Sequence, residues 1–439
     1  MERHIPATMA TQHPDNACAP YLETDGDGYI SAREEVDECY SAFADLGCEE
    51  FMWDWEGKYV DEAIVDRLFQ TYFNFFKKKQ LGRDIFLTFR IPNIWQEAGH
   101  NISRALMGIL TAEQYAQNLH LHTPPLFEVI LPMTTKAEQV IVIQKTFQKM
   151  SKLQQKLFAN KPKLKYLRVL PLIENVDDLV NCRKFLDDYL ELHKKYFRAR
   201  PDYLRVHIAR SDPALNSGYA AAVLAAKHAI SDCYEFSQET KIPIFPAIGV
   251  GGLLFRGGLM PNRVKEFIEE FPGVRTAYIQ SAFRYDAPKE EAKKALDFLN
   301  KNLSKTKPII FEVAEKTAIK KMCKIFEKPY KKSVESIAAL ISDMAEQVPK
   351  RRERKLHVGL FGYSRHIGKK RLPRAIGFTA VMYSLGAPPE FIGLGRGLRE
   401  AQKIGMDVCK FMPSLKKDLQ SIGRFINYEN LELLSEHNE

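Results

Sequence analysis

Hydrophobic residues along the chain are concentrated in short continuous runs, which alternate with longer stretches of helical periodicity. A continuous apolar run is typical of a parallel strand that helices cover, whereas strict alternation is typical of a strand with one exposed face. The intervals between runs are long enough for helical crossovers. Eight such runs occur, at residues 51–55, 84–91, 127–133, 167–174, 203–210, 243–249, 276–282 and 357–364.

This pattern predicts an α/β fold built on a (β/α)8 TIM-type barrel, because such a barrel requires eight parallel strands, each followed by a helix. Helical periodicity also predicts additional helices over residues 305–349, before the last strand, and a helical tail over residues 380–439. No Ser/Gly-rich or low-complexity segment interrupts the sequence. We therefore expect residues 1–439 to form one catalytic domain, with its barrel strands between about residues 51 and 364.

Cysteine usage and the absence of long apolar segments indicate a cytoplasmic protein. The seven cysteines are odd in number, scattered, and include no Cys-x-x-Cys pair, which favours reduced thiols over disulfides or structural zinc. The first residues contain no apolar signal segment, and no run approaches the roughly 20 apolar residues of a membrane span. We expect no membrane partner.

The formal net charge of +9 fits either a nucleic-acid-binding protein or an enzyme with anionic substrates. Much of the excess lies in short Lys/Arg runs, which are more typical of solvated surfaces. No basic helix carries interleaved exposed aromatic residues, so we expect no nucleic-acid partner. A non-catalytic nucleic-acid-binding protein remains the alternative, and tight, salt-sensitive binding without carboxylation would favour it.

Polar residues follow the predicted strands, where a barrel of this type carries its chemistry. Glu174 ends one apolar run and Asp212 follows the next, so the two carboxylates should face one cavity and suit Mg²⁺. Pairing of each carboxylate with a nearby arginine is an equally good interpretation of the spacing. The other polar residues at predicted strand ends are Glu56, Lys58, Arg90, Thr134, Arg210, Gln280, Arg284 and Arg365.

Two further features could take part in chemistry. The glycine-rich segment 249–259 surrounds Arg256 and could grip an anion through backbone amides and the guanidinium, although a purely structural turn is about as probable. It lacks the Gly-Lys-Ser/Thr of a P-loop and the Rossmann glycine spacing. His13 lies in a predicted loop before the first run and is a candidate base near neutral pH, although most of the eleven histidines need no function.

Ordered sequence blocks between residues 10 and 380 resemble those of the archaeal-type phosphoenolpyruvate carboxylases. They include ATQHPDNA, MWDWEGKYVDE, LTFRIPN, IARSDPALNSG, GVGGLLFRGGL, IQSAFRYD and HVGLFGYSR. The resemblance implies carboxylation of phosphoenolpyruvate by bicarbonate, giving oxaloacetate and phosphate through carboxyphosphate and a metal-stabilised enolate. It also implies Mg²⁺ as the cofactor, which Mn²⁺ can replace, and a homotetramer.

Residue roles follow from matching these blocks one by one. The resemblance implies that His13 is the general base, that Glu174 and Asp212 are the metal ligands, and that Arg256 and Arg90 belong to the catalytic set. It implies substrate contacts for Arg365, Arg374 and Trp53, the last on the bicarbonate side. Arg210, Gln280 and Arg284 are also predicted to bind substrate, because they lie at the ends of predicted strands. Gly257 is added because it lies in the glycine-rich segment.

One departure and one rival activity accompany this interpretation. The ALNSG stretch after Asp212 lacks a lysine that the bacterial and plant enzymes carry in the equivalent block.

The rival is another Mg²⁺-dependent barrel enzyme acting on phosphoenolpyruvate or a related oxoacid, such as a mutase or lyase. Bicarbonate-dependent formation of oxaloacetate separates the two.

Overall fold

Eight parallel strands form a closed barrel in the computed structural model, which describes residues 4–12, 29–96, 100–157, 163–348, 353–354, 366–367 and 370–436. Strand β1 pairs with β2 on one side and with β8 on the other, which closes the barrel. The strands are β1 Thr8–Thr11, β2 Glu50–Asp54, β3 Phe86–Arg90, β4 Glu128–Leu131, β5 Arg168–Ile173, β6 Leu204–Ala209, β7 Ile244–Gly249 and β8 Thr276–Ile279.

The predicted fold class is confirmed, and seven of the eight predicted strand segments coincide with barrel strands β2 to β8. The remaining barrel strand is Thr8–Thr11, which the sequence pattern did not indicate because TMAT is short and half polar. The predicted strand at residues 357–364 lies outside the described residues. The described strands, including Thr8–Thr11, already form a closed barrel.

The helices surround the barrel and continue beyond its last strand. Helices between or beside the strands are α1 Ala32–Ala44, α2 Ile64–Lys78, α3 His100–Asn118, α4 Ala137–Leu157, α5 Val176–Leu179, α6 Cys182–Phe197, α7 Ser211–Ser217, α8 Tyr219–Thr240, α9 Val264–Glu270, α10 Ser281–Arg284 and α11 Lys289–Asn302. Those beyond are α12 Val313–Glu346, α13 Ala375–Ser384, α14 Leu394–Lys403, α15 Leu415–Gly423 and α16 Tyr428–Glu436. The long helix α12 thus follows the last barrel strand, whereas the sequence pattern placed extra helices before it.

Short elements complete the described secondary structure. Single-turn 3-10 helices lie at Leu254–Arg256, Pro261–Arg263, Leu303–Lys305 and Pro389–Phe391. Two pairs of two-residue strands lie outside the barrel: Tyr29–Ile30 with Glu353–Arg354, and His366–Ile367 with Lys370–Arg371.

Local chemistry explains how individual helices begin and pack. Helix α1 starts with a capping box, in which the Glu34 amide donates to the Ser31 hydroxyl (3.3 Å) and the Ser31 amide donates to the Glu34 carboxylate (2.8 Å). Helix α8 is alanine-rich and almost wholly buried, since it packs against the barrel on one side and against α12 on the other. The helices after the barrel are therefore part of its outer layer.

The interior of the barrel is layered, because alternate residues of each strand point inward. At the amino-terminal ends of the strands, Arg205 donates to Glu50 (2.6 and 3.0 Å) and to Glu128 (2.8 Å), and all three side chains are buried. The next layer, mainly apolar, contains Met9, Met52, Ile130, Leu170, Leu172, Ala209, Ala247 and Tyr278. Above this layer, the carboxyl ends of the strands carry polar side chains.

No helix in the described part of the chain is long and apolar enough to cross a bilayer. The six cysteines within the described residues are all free.

Replacing Arg205 by Met should destabilise the protein strongly, because Glu50 and Glu128 would remain buried without their cation. We expect a loss of about 3–5 kcal/mol in the free energy of unfolding, measured by denaturant titration. The matched control is Arg168→Met, which breaks a pair with the largely exposed Asp202 and should change stability by less than about 1 kcal/mol. Equal effects of the two substitutions would contradict a stabilising role for the buried pairs.

Candidate active site

A cavity of about 90 Å³ lies at the carboxyl ends of the barrel strands. Its walls carry three carboxylates, several arginines and a small apolar floor, drawn from six strand ends and from the start of helix α13. The lining residues are Met52, Glu56, Arg90, Leu172, Glu174, His207, Ala209, Arg210, Ser211, Asp212, Gly249, Arg256, Tyr278, Gln280, Arg374, Ala375 and Ile376. Most of the polar residues predicted at strand ends therefore meet at one cavity.

Glu174 and Asp212 come from neighbouring strands and concentrate negative charge in this cavity. Glu174 directly follows β5, and Asp212 lies in the first turn of α7 after β6. The Glu174 carboxylate accepts a hydrogen bond from the Met133 amide (2.5 Å). Burial, followed by repulsion from Glu56 and Asp212, raises the pKa of Glu174 to about 8, although Arg90 opposes this shift. Glu56 and Asp212 are therefore both close enough to repel Glu174.

Arg90 is fixed at the end of β3 by carboxylates on the adjacent strand. Its Nε and Nη2 atoms donate to the two carboxylate oxygens of Asp54, at 2.8 and 2.5 Å. Its Nη1 atom lies 2.6 Å from a carboxylate oxygen of Glu56. These ion pairs with Asp54 and Glu56 fix the orientation of the Arg90 guanidinium beside Glu174.

Arg256 is positioned by the glycine-rich segment after β7. Its Nη2 atom donates to Gln280 (3.2 Å) and its Nε atom to the Ser211 hydroxyl (3.4 Å). A Cβ atom on Gly251 would lie 3.0 Å from three atoms of the Arg256 side chain, so any larger residue there would crowd this arginine. Gly257 has a φ of +125°, and a Cβ atom there would lie 2.5 Å from Val250.

The helices beyond the barrel contribute directly to the cavity. Arg374 precedes α13, and residues 374–376 line the cavity, so the amino-terminal end of α13 lies beside it. Glu390 anchors the glycine-rich segment from behind, because its carboxylate accepts a hydrogen bond from the Phe255 amide (2.8 Å). The C-terminal helices thus help to build the site.

Three predicted substrate-binding side chains are directed away from the cavity. The Arg210 residue borders it, but its guanidinium lies 5.8 Å from the Phe271 ring, outside the barrel wall. Trp53 is fully buried against Phe51, because the neighbouring Met52 occupies the inward position. Arg284 is buried in an ion pair with Glu38 (2.7 Å). Strand alternation and this ion pair explain why Trp53 and Arg284 do not line the cavity.

The other predicted residues fall into three cases. Glu174, Asp212, Arg90, Arg256, Arg374 and Gln280 all line the cavity. Gly257 belongs to the loop that carries Arg256 but does not line the cavity itself. His13 and Arg365 lie outside the described residues.

Sequence reasoning gave no role to several residues of the site, although it placed Glu56 at a strand end. Asp54 and Glu56 hold Arg90, Glu390 holds the glycine-rich segment, and His207 and Tyr278 form part of the cavity floor. Strand alternation counted inward from Ala209 and Gln280 could have indicated His207 and Tyr278. No local sequence signal indicates Glu390, which lies 135 residues from its partner.

The carboxylates at this cavity suit a divalent cation that also binds water and substrate. Within the described residues, no group of three His, Cys, Asp or Glu side chains could hold a metal ion unaided. Mg²⁺ commonly uses one or two protein carboxylates and completes its shell with water and ligand oxygens. Glu174 and Asp212 fit that requirement, and the repulsion that raises the pKa of Glu174 is the kind that a bound cation relieves.

A barrel with carboxylates and arginines at its mouth defines a class of enzyme that acts on small anionic substrates. The sequence matches the family described as phosphoenolpyruvate carboxylase over residues 5–439. The chain belongs to this family.

Proteins named phosphoenolpyruvate carboxylase are similar over nearly the whole chain. The protein from Leuconostoc mesenteroides is 41% identical over 438 residues, covering 99% of this chain and 87% of the relative. The protein from Metallosphaera sedula is 41% identical, covering 98% and 86%. The protein from Pyrococcus abyssi is 38% identical, covering 98% and 90%. These matches confirm the family that the sequence blocks indicated.

Removing the Glu56 charge should lower the pKa of Glu174, because one of the two carboxylates that repel it disappears. Infrared difference spectroscopy on the metal-free protein should show a carboxyl group titrating near pH 8, absent in Glu174→Gln and shifted to lower pH in Glu56→Gln. A titration that Glu56→Gln leaves unchanged would contradict the proposed coupling.

Proposed function

We propose that this protein carboxylates phosphoenolpyruvate with bicarbonate, forming oxaloacetate and inorganic phosphate. The observation that carries the proposal is the convergence of Glu174, Asp212 and Arg256 on one cavity in a member of the phosphoenolpyruvate carboxylase family. Both substrates are small anions, and both must be held together away from bulk water. The family resemblance further supports a cytoplasmic homotetramer.

The cationic groups of the cavity suit the phosphate and carboxylate of phosphoenolpyruvate. Arg256 can offer a planar pair of N–H donors, and the amides at the start of α13 add neutral donors beside Arg374. Arg90 is already oriented by Asp54 and Glu56, so little ordering is needed when an anion binds. Arg365, outside the described residues, joins this set on the family resemblance.

Glu174 and Asp212 would hold Mg²⁺, which Mn²⁺ can replace. Bound there, the cation would supply positive charge to negatively charged substrate oxygens and offset the repulsion among the carboxylates. The protein's own task is to hold these two side chains in place. The Met133 amide donates to the Glu174 carboxylate, which positions it and opposes part of the rise in its pKa.

The chemistry that these groups would assist proceeds in three steps. A bicarbonate oxygen attacks the phosphorus of phosphoenolpyruvate, the bond between phosphorus and the enol oxygen breaks, and carboxyphosphate and the enolate of pyruvate form. His13 then accepts the proton of carboxyphosphate, which splits into carbon dioxide and phosphate. The enolate carbon finally attacks carbon dioxide to form oxaloacetate. Arginines that hold the departing phosphate keep the carbon dioxide close to the enolate.

An assay coupled to malate dehydrogenase tests the proposal directly. We expect NADH oxidation that requires phosphoenolpyruvate, bicarbonate and a divalent cation, and that a chelator abolishes. Turnover of phosphoenolpyruvate without oxaloacetate would favour the rival mutase or lyase. Binding of nucleic acid without turnover would favour the non-catalytic alternative.

Replacing Glu174 or Asp212 by Ala should raise the Mg²⁺ concentration needed for half-maximal activity, or abolish activity, because the cation loses a carboxylate ligand. The matched control is Asp177→Ala, which removes a nearby carboxylate that pairs with Lys324 at the surface. Mn²⁺ binding followed by electron paramagnetic resonance provides a readout independent of turnover. Wild-type metal affinity in both site variants would contradict the assignment.

The substitution His13→Asn should abolish oxaloacetate formation while largely preserving phosphoenolpyruvate binding, because it removes the base and spares the arginines. Binding can be followed by isothermal titration calorimetry in the presence of Mg²⁺. His120→Asn is a suitable control, since His120 is exposed and adopts a φ of 54° that asparagine accepts readily. Normal oxaloacetate formation by the His13 variant would refute its role.

A further inference from the structure

Two buried polar side chains on the floor of the cavity lack the partners that buried polar groups normally have. Tyr278 is 1% exposed and His207 is 5% exposed, and both line the cavity. Neither the Tyr278 hydroxyl nor the His207 Nδ1 atom has a hydrogen-bond partner among the described residues. Buried polar atoms are normally hydrogen-bonded, so unsatisfied atoms on residues that line a cavity favour a ligand as the missing partner.

The two groups lie side by side, one layer below the charged rim. His207 is on β6 and Tyr278 on β8, with ring centroids 4.0 Å apart. Strand β7 runs between them, and a Cβ atom on its Gly249 would lie 2.5 Å from the His207 Nε2 atom. Glycine at this position is therefore what allows the imidazole to lie against the strand. Both side chains border the cavity.

Both groups are held in their neutral forms. Burial, assisted by Arg90 and Arg205, lowers the pKa of His207 far below its usual value. Burial raises the pKa of the Tyr278 hydroxyl. The imidazole and the hydroxyl can each donate or accept one hydrogen bond without contributing a charge.

We infer that Tyr278 and His207 form the subsite for bicarbonate, an inference that rests on the proposed function. The rim offers guanidinium groups, which suit the highly charged phosphate of phosphoenolpyruvate, and carboxylates, which suit a cation. The floor offers neutral groups, which match a planar, singly charged anion with both acceptor oxygens and an O–H donor. The two groups would hold bicarbonate with an oxygen directed toward the phosphorus above it.

The substitution Tyr278→Phe tests this subsite, because it removes only the hydroxyl. We expect the KM for bicarbonate to rise on the order of tenfold, as for loss of a hydrogen bond to a charged ligand. The KM for phosphoenolpyruvate and the Mg²⁺ requirement should stay unchanged. A rise confined to the KM for phosphoenolpyruvate would assign the hydroxyl to that substrate's carboxylate and overturn the inference, as would unchanged constants for both substrates.

Thermal unfolding without ligands separates a ligand-binding hydroxyl from a structural one. The Tyr278 hydroxyl has no partner in the described protein, so Tyr278→Phe should unfold at the wild-type temperature or above. The matched control is Tyr189→Phe, which removes a buried hydroxyl that accepts from Gln144 at 3.3 Å. We expect this control to lose stability and to keep the wild-type KM for bicarbonate. Marked destabilisation by Tyr278→Phe would indicate a structural role instead.

Substitutions of His207 provide a second, independent variant. His207→Leu should raise the KM for bicarbonate, and His207→Asn should restore part of the affinity because its amide can occupy the position of Nδ1. Equal bicarbonate affinity in wild type and His207→Leu would count against the subsite. Failure of the proposed function is recognisable separately, because the wild-type protein would then form no oxaloacetate from bicarbonate.

Discussion

Glu56, Glu174 and Asp212 surround one buried cavity, where water screens their mutual repulsion poorly. Arg90 offsets part of this negative charge and is itself held by Asp54 and Glu56. The offset is incomplete, since the pKa of Glu174 remains well above that of an ordinary carboxyl group. In the proposed function a divalent cation would complete this site, and the surrounding guanidinium groups would accommodate anions beside it. The chemistry proposed for the protein depends on this arrangement of charge.

The rest of the fold keeps these groups in place. Below the cavity, an apolar layer and the buried ion pairs of Arg205 fill the barrel, so the strand ends cannot move independently. Above it, the helices after the last strand supply Arg374 and the Glu390 carboxylate, which braces the loop of Arg256. The active site is therefore shared between the barrel and the C-terminal helices.

Sequence reasoning predicted the barrel and most of the charged residues that line the cavity, because continuous apolar runs mark buried parallel strands and the residues after them lie at one end of the barrel. It missed the strand Thr8–Thr11, which is too short and too polar to form such a run. Trp53, a predicted substrate contact, does not line the cavity, and a run that is apolar at every position does not reveal which residues face inward. The ion pair of Arg284 with Glu38 joins residues 246 positions apart and could be found only in three dimensions.

A crystal structure of the protein with Mn²⁺ and a non-reactive analogue of phosphoenolpyruvate would test the central claim most directly. Anomalous scattering should place one metal ion in contact with the carboxylates of Glu174 and Asp212, with the analogue's phosphate against Arg256 in the same cavity. A metal ion bound elsewhere, or an analogue that leaves Arg256 untouched, would contradict the proposed convergence of charge.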